Sequence, residues 1–225
     1  PRFKGLSGMA DRGDAILSFD FSVGRIMHVL DSLGIADNTI VIVTSDNGPV
    51  VDDGYHDKAQ ELLGNHKPAA GLRAGKYSIY EAGTKVPLIV RWPKGIKNPG
   101  KTNNGLISQV DFFASFASIT GVSMQEESAT DSRDLSKLLK NRTTKGASFI
   151  IQQNLNSTLS IVKDGWKYIE PSQDEPIEFW TKTELGNDLN PQLYNLKEDQ
   201  GERNNLAKIR ERKTNELKKL LEINK

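Results

Sequence analysis

The segment richest in chemistry is Thr44-Ser45-Asp46-Asn47-Gly48-Pro49. Asp46 offers a carboxylate and Asn47 a neutral amide oxygen, side by side. Both are hard oxygen donors, suited to Ca²⁺ or Mg²⁺ and poorly suited to Zn²⁺ or Cu²⁺. Gly48 lets the chain turn sharply after them. Asp-Asn-Gly is also good β-turn sequence, so composition alone leaves a plain turn open. Downstream, Gly71-Leu72-Arg73-Ala74-Gly75 leads to Lys76. A lysine after a glycine-bearing loop can set a compact positive charge against an anion, although a lone lysine is usually a solvated surface charge.

These groups need elements to hold them. Residues 39–44 are β-branched and almost wholly apolar, which predicts a strand ending at the Asp46-Asn47 pair. A strand apolar on both faces suits the centre of a parallel sheet flanked by helices. In open α/β sheets, ligands sit outside the carboxyl ends of strands. Before it, Ile16, Phe19, Val23, Ile26, Leu30 and Leu33 recur at spacings of three and four, predicting an amphipathic helix over 14–33 with Gly34 as its C-cap. Within that helix Gly24 suggests close packing, and His28 reads as a partly buried structural residue. Residues 45–75 form a long polar loop, with a helical turn expected at 59–63. A helix is expected at 77–82, a strand at 86–92, and a helix at 110–119 with Phe112, Phe113, Phe116 and Ile119 towards the core. A short helix is expected at 131–139.

The character changes near residue 146. Short strands are expected at 148–152, 159–162, 166–169 and 192–196, with Asp164-Gly165 as a two-residue hairpin turn. A terminal helix is expected at 206–223, with Leu206, Ile209, Leu217, Leu220 and Leu221 as its stripe. The expected organisation is an α/β unit over 1–145 followed by a small antiparallel-sheet-plus-helix unit over 146–225.

The run TSDNGP, followed by GKYSIYEAGTKVPLIVRWP, resembles the C-terminal signature region of type I sulfatases, including the arylsulfatases. The similarity extends outward. FDFSVGRIMHVLDSLGIADNTIVIVTSDNG resembles the family's helix and strand before the metal loop, and ISQVDFFASFASITGV its next helix. LSIVKDGWKYI and PQLYNLKEDQGERNNLA resemble its C-terminal sheet and the loop into its last helix. The resemblance implies the C-terminal part of an alkaline-phosphatase-like α/β domain that hydrolyses sulfate esters, on carbohydrate by expectation.

Carried over residue by residue, it makes Asp46 and Asn47 two ligands of one Ca²⁺ (Mg²⁺ being the alternative) and Lys76 the contact to the substrate sulfate. Related phosphatases have Asp-His where this chain has Asp46-Asn47, as a two-zinc site requires. Ala82 stands where many family members have Gly, and Lys85 where Arg is usual. The segments 52–56 and 65–68 resemble a loop of bacterial members that act on sulfated glycans, so Asp53, Tyr55 and His66 are candidates to meet sugar hydroxyls or the leaving group. A polar loop held by its own side chains is the competing reading.

The family makes its nucleophile, a formylglycine, from a Cys/Ser-x-Pro-x-Arg motif. This chain has no such motif and no cysteine. Beginning at Pro1 within a loop-like segment, it reads as a piece of a longer protein. The formylglycine and the remaining metal ligands are expected on the missing N-terminal half, the implied partner of this chain. Alone, the chain is expected to be inactive, to bind Ca²⁺ weakly, and to self-associate through uncovered apolar edges. A catalytically dead glycan-binding relative and a phosphoester hydrolase of the same superfamily are the alternatives.

Lys plus Arg number 30 and Asp plus Glu 29, a net charge of +1, which gives no argument for a nucleic-acid or membrane partner. No apolar run approaches the ~20 residues of a membrane span. The family implies an exported parent: periplasmic, secreted or lysosomal. Asp20 and Asp111 read as helix-packing and capping residues, and Phe179-Trp180 as core or surface-contact aromatics.

Overall fold

A computed structural model describes residues 2–125 and 127–225. The chain alternates helix and short strand: α1 (Ala10–Ser32), β1 (Val41–Thr44), α2 (Glu81–Thr84), β2 (Leu88–Arg91), α3 (Phe112–Thr120), α4 (Ser136–Leu139), β3 (Ile150–Gln153), β4 (Leu159–Lys163), β5 (Trp166–Ile169), β6 (Gln192–Asn195) and α5 (Glu211–Ile223). The architecture is mixed α/β.

The expected first helix forms and ends as its sequence dictates. Gly34 adopts φ +66°, its N–H donates to the Asp31 carbonyl, and the Ile35 N–H donates to that of Leu30. Those two bonds satisfy carbonyls the helix leaves open. At the other end, the half-loop before α1 is pinned by Asp14, whose carboxylate accepts the N–H groups of Gly5 and Ser7.

The surroundings of α1 correct the sequence reading. Ile16, Phe19, Ile26, Val29 and Leu33 are exposed. His28 is exposed rather than partly buried, Asp20 is exposed rather than packed, and nothing lies within 4 Å of a Cβ placed on Gly24. Periodicity reports that a helix has an apolar face; what covers that face must come from other elements, and among the described residues the cover is partial, leaving only Val23 and Leu30 of the stripe half-buried.

β1 is corrected likewise. It pairs antiparallel with β2, from Val41 opposite Arg91 to Thr44 opposite Leu88, and all four of its residues are only half-buried. A short apolar run fits either sheet type, and here a single antiparallel neighbour is present. In α3 the small residues Ala114 and Ser115 are buried while Phe113 is exposed. The short helix after it spans only Ser136–Leu139, and the helical turn after Lys76 begins at Glu81 rather than 77.

The second half follows its pattern closely. Strands β3-β4-β5-β6 form one antiparallel meander. Asp164 and Gly165 join β4 to β5 with φ of +54° and +82°, the doubly left-handed turn whose twist matches a hairpin. α5 packs Leu217 and Leu221 onto Ile161, Tyr168 and Leu193, all essentially fully buried. The helix starts at Glu211, and Ile209 is exposed instead of joining the stripe. A second cluster joins Ile79 and Tyr80 to Ile169 and Tyr194. The core of the C-terminal sheet therefore takes in residues from well upstream of residue 146.

Candidate active site

The Asp46-Asn47 pair leaves the C-terminal end of β1 and turns back through Gly48 and Pro49. The turn is built from its own polar groups: Asp46 Oδ1 accepts the Asn47 N–H at 3.0 Å, and Ser45 Oγ donates to the Asn47 carbonyl at 2.9 Å. Gln109 braces it from the far side, donating from Nε2 to the Ser45 carbonyl at 2.6 Å and to Thr44 Oγ1 at 3.2 Å. Asp46 is exposed and Asn47 half-buried. Among the described residues no hydrogen bond engages the Asn47 side chain or the second oxygen of Asp46, so these oxygens remain available.

The Lys76 segment is locked directly onto this turn. The Lys76 N–H donates to the Pro49 carbonyl at 2.8 Å, and the Gly48 N–H donates to the Gly83 carbonyl at 3.0 Å. The approach is so close that three glycines have no room for a side chain. A Cβ on Gly48 would overlap the Ala82 carbonyl, one on Gly75 the Pro49 carbonyl, and one on Gly83 the carbonyls of Ser78 and Gly75. Lys76 itself is flanked by left-handed residues, Ala74 at φ +63° and Tyr77 at φ +78°. Non-glycine residues in this region cost about 1–3 kcal/mol each and persist where surrounding structure dictates them. The Lys76 ammonium lies 5.0 Å from the centre of the Tyr77 ring.

Asp46, Asn47 and Lys76 thus line one cleft of about 1230 Å³, together with Tyr77, Ser78, Glu81, Lys85, Gln109 and residues of β3. Asp53, Tyr55 and His66 do not line it. Asp53 is ion-paired with Arg12, which also grips Asp57 and the Val50 carbonyl. Tyr55 and His66 project from the exposed loop. Arg12, on α1, thus ties this stretch of the loop to the first helix. Asp111 caps its helix: its carboxylate accepts the Ser108 N–H at 2.9 Å and the Arg133 N–H at 3.1 Å.

Sequence reasoning did not single out Gln109 or Arg73. Arg73 donates to Glu184 through Nε at 2.9 Å and to the Glu202 carbonyl at 2.6 Å, and its guanidinium lies 3.9 Å from the centre of the Tyr80 ring. The hydrogen bonds from Arg73 hold the Glu184 carboxyl below the usual range. Burial raises the Tyr80 hydroxyl well above its ordinary value, so it stays a hydrogen-bond donor, to Gln192 at 2.8 Å. Nothing in local sequence marks Gln109 or Arg73, because the hydrogen-bond partners of their side chains lie more than 60 positions away.

As a metal site, Asp46 and Asn47 supply two hard oxygens facing open space beside a cation-bearing segment. Among the described residues no cluster of three or more His, Cys, Asp or Glu completes a metal cage. The pair fits calcium as part of a ligand set, well short of the six to eight oxygens that ion takes.

The sulfatase family model matches residues 3–122, and the model for the N-sulphoglucosamine sulphohydrolase C-terminal region matches 74–224. An N-acetylgalactosamine-6-O-sulfatase of Bacteroides thetaiotaomicron is 53% identical over 99% of this chain, which spans 43% of that protein. Human steryl-sulfatase is 32% identical over 72% of the chain, 27% of its own length. A solved sulfatase from the metabolism of multiple glycosaminoglycans by B. thetaiotaomicron superposes with a TM-score of 0.95 at 52% identity, over 99% of this chain and 46% of its own. A Pseudoalteromonas sulfatase shares the fold at a TM-score of 0.78 and 23% identity, over all of this chain and 44% of its own. The α/β fold is thus that of the alkaline-phosphatase-like sulfatases, and the chain belongs to the sulfatase family.

Proposed function

We propose that the complete protein is a sulfuric ester hydrolase acting on sulfated carbohydrate, and that this chain carries part of its calcium and sulfate site. The observation that carries the reading is the direct hydrogen-bonded lock between the Asp46–Pro49 turn and the Lys76 segment. It joins the backbone segments that carry two oxygen donors and one lysine lining the same cleft. Asp46 and Asn47 would hold Ca²⁺, with Mg²⁺ as the alternative ion. When bound, such a cation stabilises anionic ester oxygens and developing negative charge. Lys76 would hold a sulfate oxygen, contributing to catalysis in so far as its grip tightens in the transition state. The strained turn around it fixes the backbone from which the lysine side chain extends.

The formylglycine nucleophile and the remaining calcium ligands belong, on this reading, to an N-terminal part of the same protein outside this chain. Residues 1–145 would form the C-terminal part of the catalytic α/β unit and 146–225 a smaller unit beside it. The 53%-identical relative is named for N-acetylgalactosamine 6-O-sulfate, which makes a 6-O-sulfated hexosamine the first substrate to try. Among the described residues no helix is long and apolar enough to cross a membrane. The reading includes export of the complete protein, in line with its family. Tyr55, His66 and Asp53 lie outside the lining of the cleft in this chain and are kept as candidates to meet the sugar of a bound substrate, with His66 the member to test.

The experiment is desulfation of 6-O-sulfated N-acetylgalactosamine by the complete protein, with and without a calcium chelator. Lys76→Ala is expected to lower kcat by about 10²–10³-fold, the loss typical of removing one preorganised oxyanion donor. Chelation is expected to abolish turnover. The isolated 225-residue chain is expected to show none. Turnover by the isolated chain, or wild-type kinetics in Lys76→Ala, would refute the assignment; unchanged kinetics in His66→Ala would remove that residue alone.

A further inference from the structure

Three buried ionisable groups are not used by the cleft chemistry. Lys167 on β5 and Glu202 between β6 and α5 are fully buried, and Glu81 at the start of α2 nearly so. The Lys167 ammonium lies 3.2 Å from Glu81 Oε1 and 3.3 Å from Glu202 Oε1. The other Glu202 oxygen accepts the Glu81 backbone N–H at 2.6 Å. Buried ion clusters are weak contributors to stability, since apolar residues of equal volume often do as well. Their geometric consequence is more telling.

Glu202 caps α2 from 121 residues away. α2 in turn presents the Gly83 carbonyl to the Gly48 N–H, two residues from Asp46. The Glu202 backbone carbonyl accepts from Arg73, and the Arg73 carbonyl accepts the Ala82 N–H. The strained Lys76 turn lies between these two anchors. We infer that Glu202 and Lys167 are positioning residues, which act through α2 to hold the Asp46-Asn47 turn and Lys76 in fixed mutual register. The role is defined for the sulfatase reading of the cleft, but the geometry it claims is measurable apart from activity.

The test uses the complete protein and its Glu202→Gln and Lys167→Met variants, which keep side-chain volume. Two quantities are read: site-resolved amide hydrogen exchange and steady-state kinetics. Both variants are expected to speed exchange at the amides of Gly48, Lys76 and Gly83 by about tenfold while β4 amides keep wild-type rates, a local opening rather than global unfolding. In parallel, kcat is expected to fall about tenfold with KM within about twofold, as for lost transition-state alignment. Leu217→Ala, which opens a cavity under α5, serves as a control that lowers the melting temperature without moving the Gly48 and Lys76 amides. If Glu202→Gln does not fold, Glu81→Gln carries the same expectation at about threefold, because the Glu202 cap bond to the backbone survives. Wild-type exchange at Gly48 and Lys76 in folded variants overturns the inference, whatever the melting temperatures. A wild-type protein that desulfates nothing refutes the sulfatase reading and leaves the exchange result to decide the positioning role.

Discussion

Gly48, Gly75 and Gly83 set how closely the Asp46–Pro49 turn and the lysine segment approach, and each lacks space for a single methyl group. Gly48→Ala must push the Ala82 carbonyl away, which separates the Asp46-Asn47 oxygens from Lys76. A misplacement of about 1 Å near reacting groups costs on the order of 100-fold in rate. That loss in kcat is expected for Gly48→Ala in the complete protein, together with a loss of stability of about 1–3 kcal/mol, as is typical of overpacking. A rate within threefold of wild type would show that the turn tolerates displacement. Glu184 allows a pH test. Its folded carboxyl sits below its ordinary value because Arg73 hydrogen-bonds it, so its contribution is present above the unfolded value of 4.5 and is lost as pH falls through the folded one. Melting temperature should therefore drop less steeply on acidification below pH 4.5 in Glu184→Gln than in wild type, and parallel curves would count against the pairing. At this scale the sequence offers candidates where donor groups sit in adjacent letters. Asp46-Asn47 and Lys76 stand out by type and family pattern. Gln109, Arg73 and Glu202 do not, because a solitary polar residue carries no sign of a partner far along the chain.

Secondary elements were readable in proportion to how local their determinants are. The Asp164-Gly165 turn needs two left-handed residues and has the two that adopt them most readily, so the β4–β5 hairpin was plain. α1 was equally plain as a helix because its period and its Gly34 terminator are local. Its environment was not: Phe19 and Ile26 are each 55% exposed, where the pattern implied a buried stripe. Covering an Ile or Phe side chain is worth about 1.5–3 kcal/mol, so a face carrying several is strongly driven to find cover. The isolated chain is therefore expected to self-associate in sedimentation velocity at micromolar concentration. Phe19→Lys with Ile26→Lys should shift it towards monomer, with no loss of α5 packing. A wild-type chain that remains monomeric would mean that α1 is not the sticky face.

At the scale of the molecule, the core beneath the C-terminal sheet draws on residues from both sides of position 146. The change in pattern there is real, from helix-bearing loops to a meander, but pattern registers where strands begin and not what fills the space beneath them. Ile79 is fully buried and Tyr80 nearly so, against Ile169 and Tyr194 from the C-terminal sheet. Tyr80 and Tyr194 share the Gln192 side-chain oxygen, and Ile79 N–H donates to the Leu185 carbonyl. Removing these two side chains would leave an apolar cavity and an orphaned polar network, each a recognised source of several kcal/mol of destabilisation. The C-terminal unit is thus expected to fold as residues 71–225 and to fail as residues 146–225. Cooperative thermal unfolding with near-ultraviolet circular dichroism separates the outcomes, since Tyr168 and Tyr194 report fixed packing. The shorter fragment should lose both signatures while keeping strand-like backbone signal. If 146–225 instead melted as cooperatively as 71–225, the Lys76 segment would be a passenger on the sheet, and Lys76 would owe its placement to the Asp46–Pro49 turn alone.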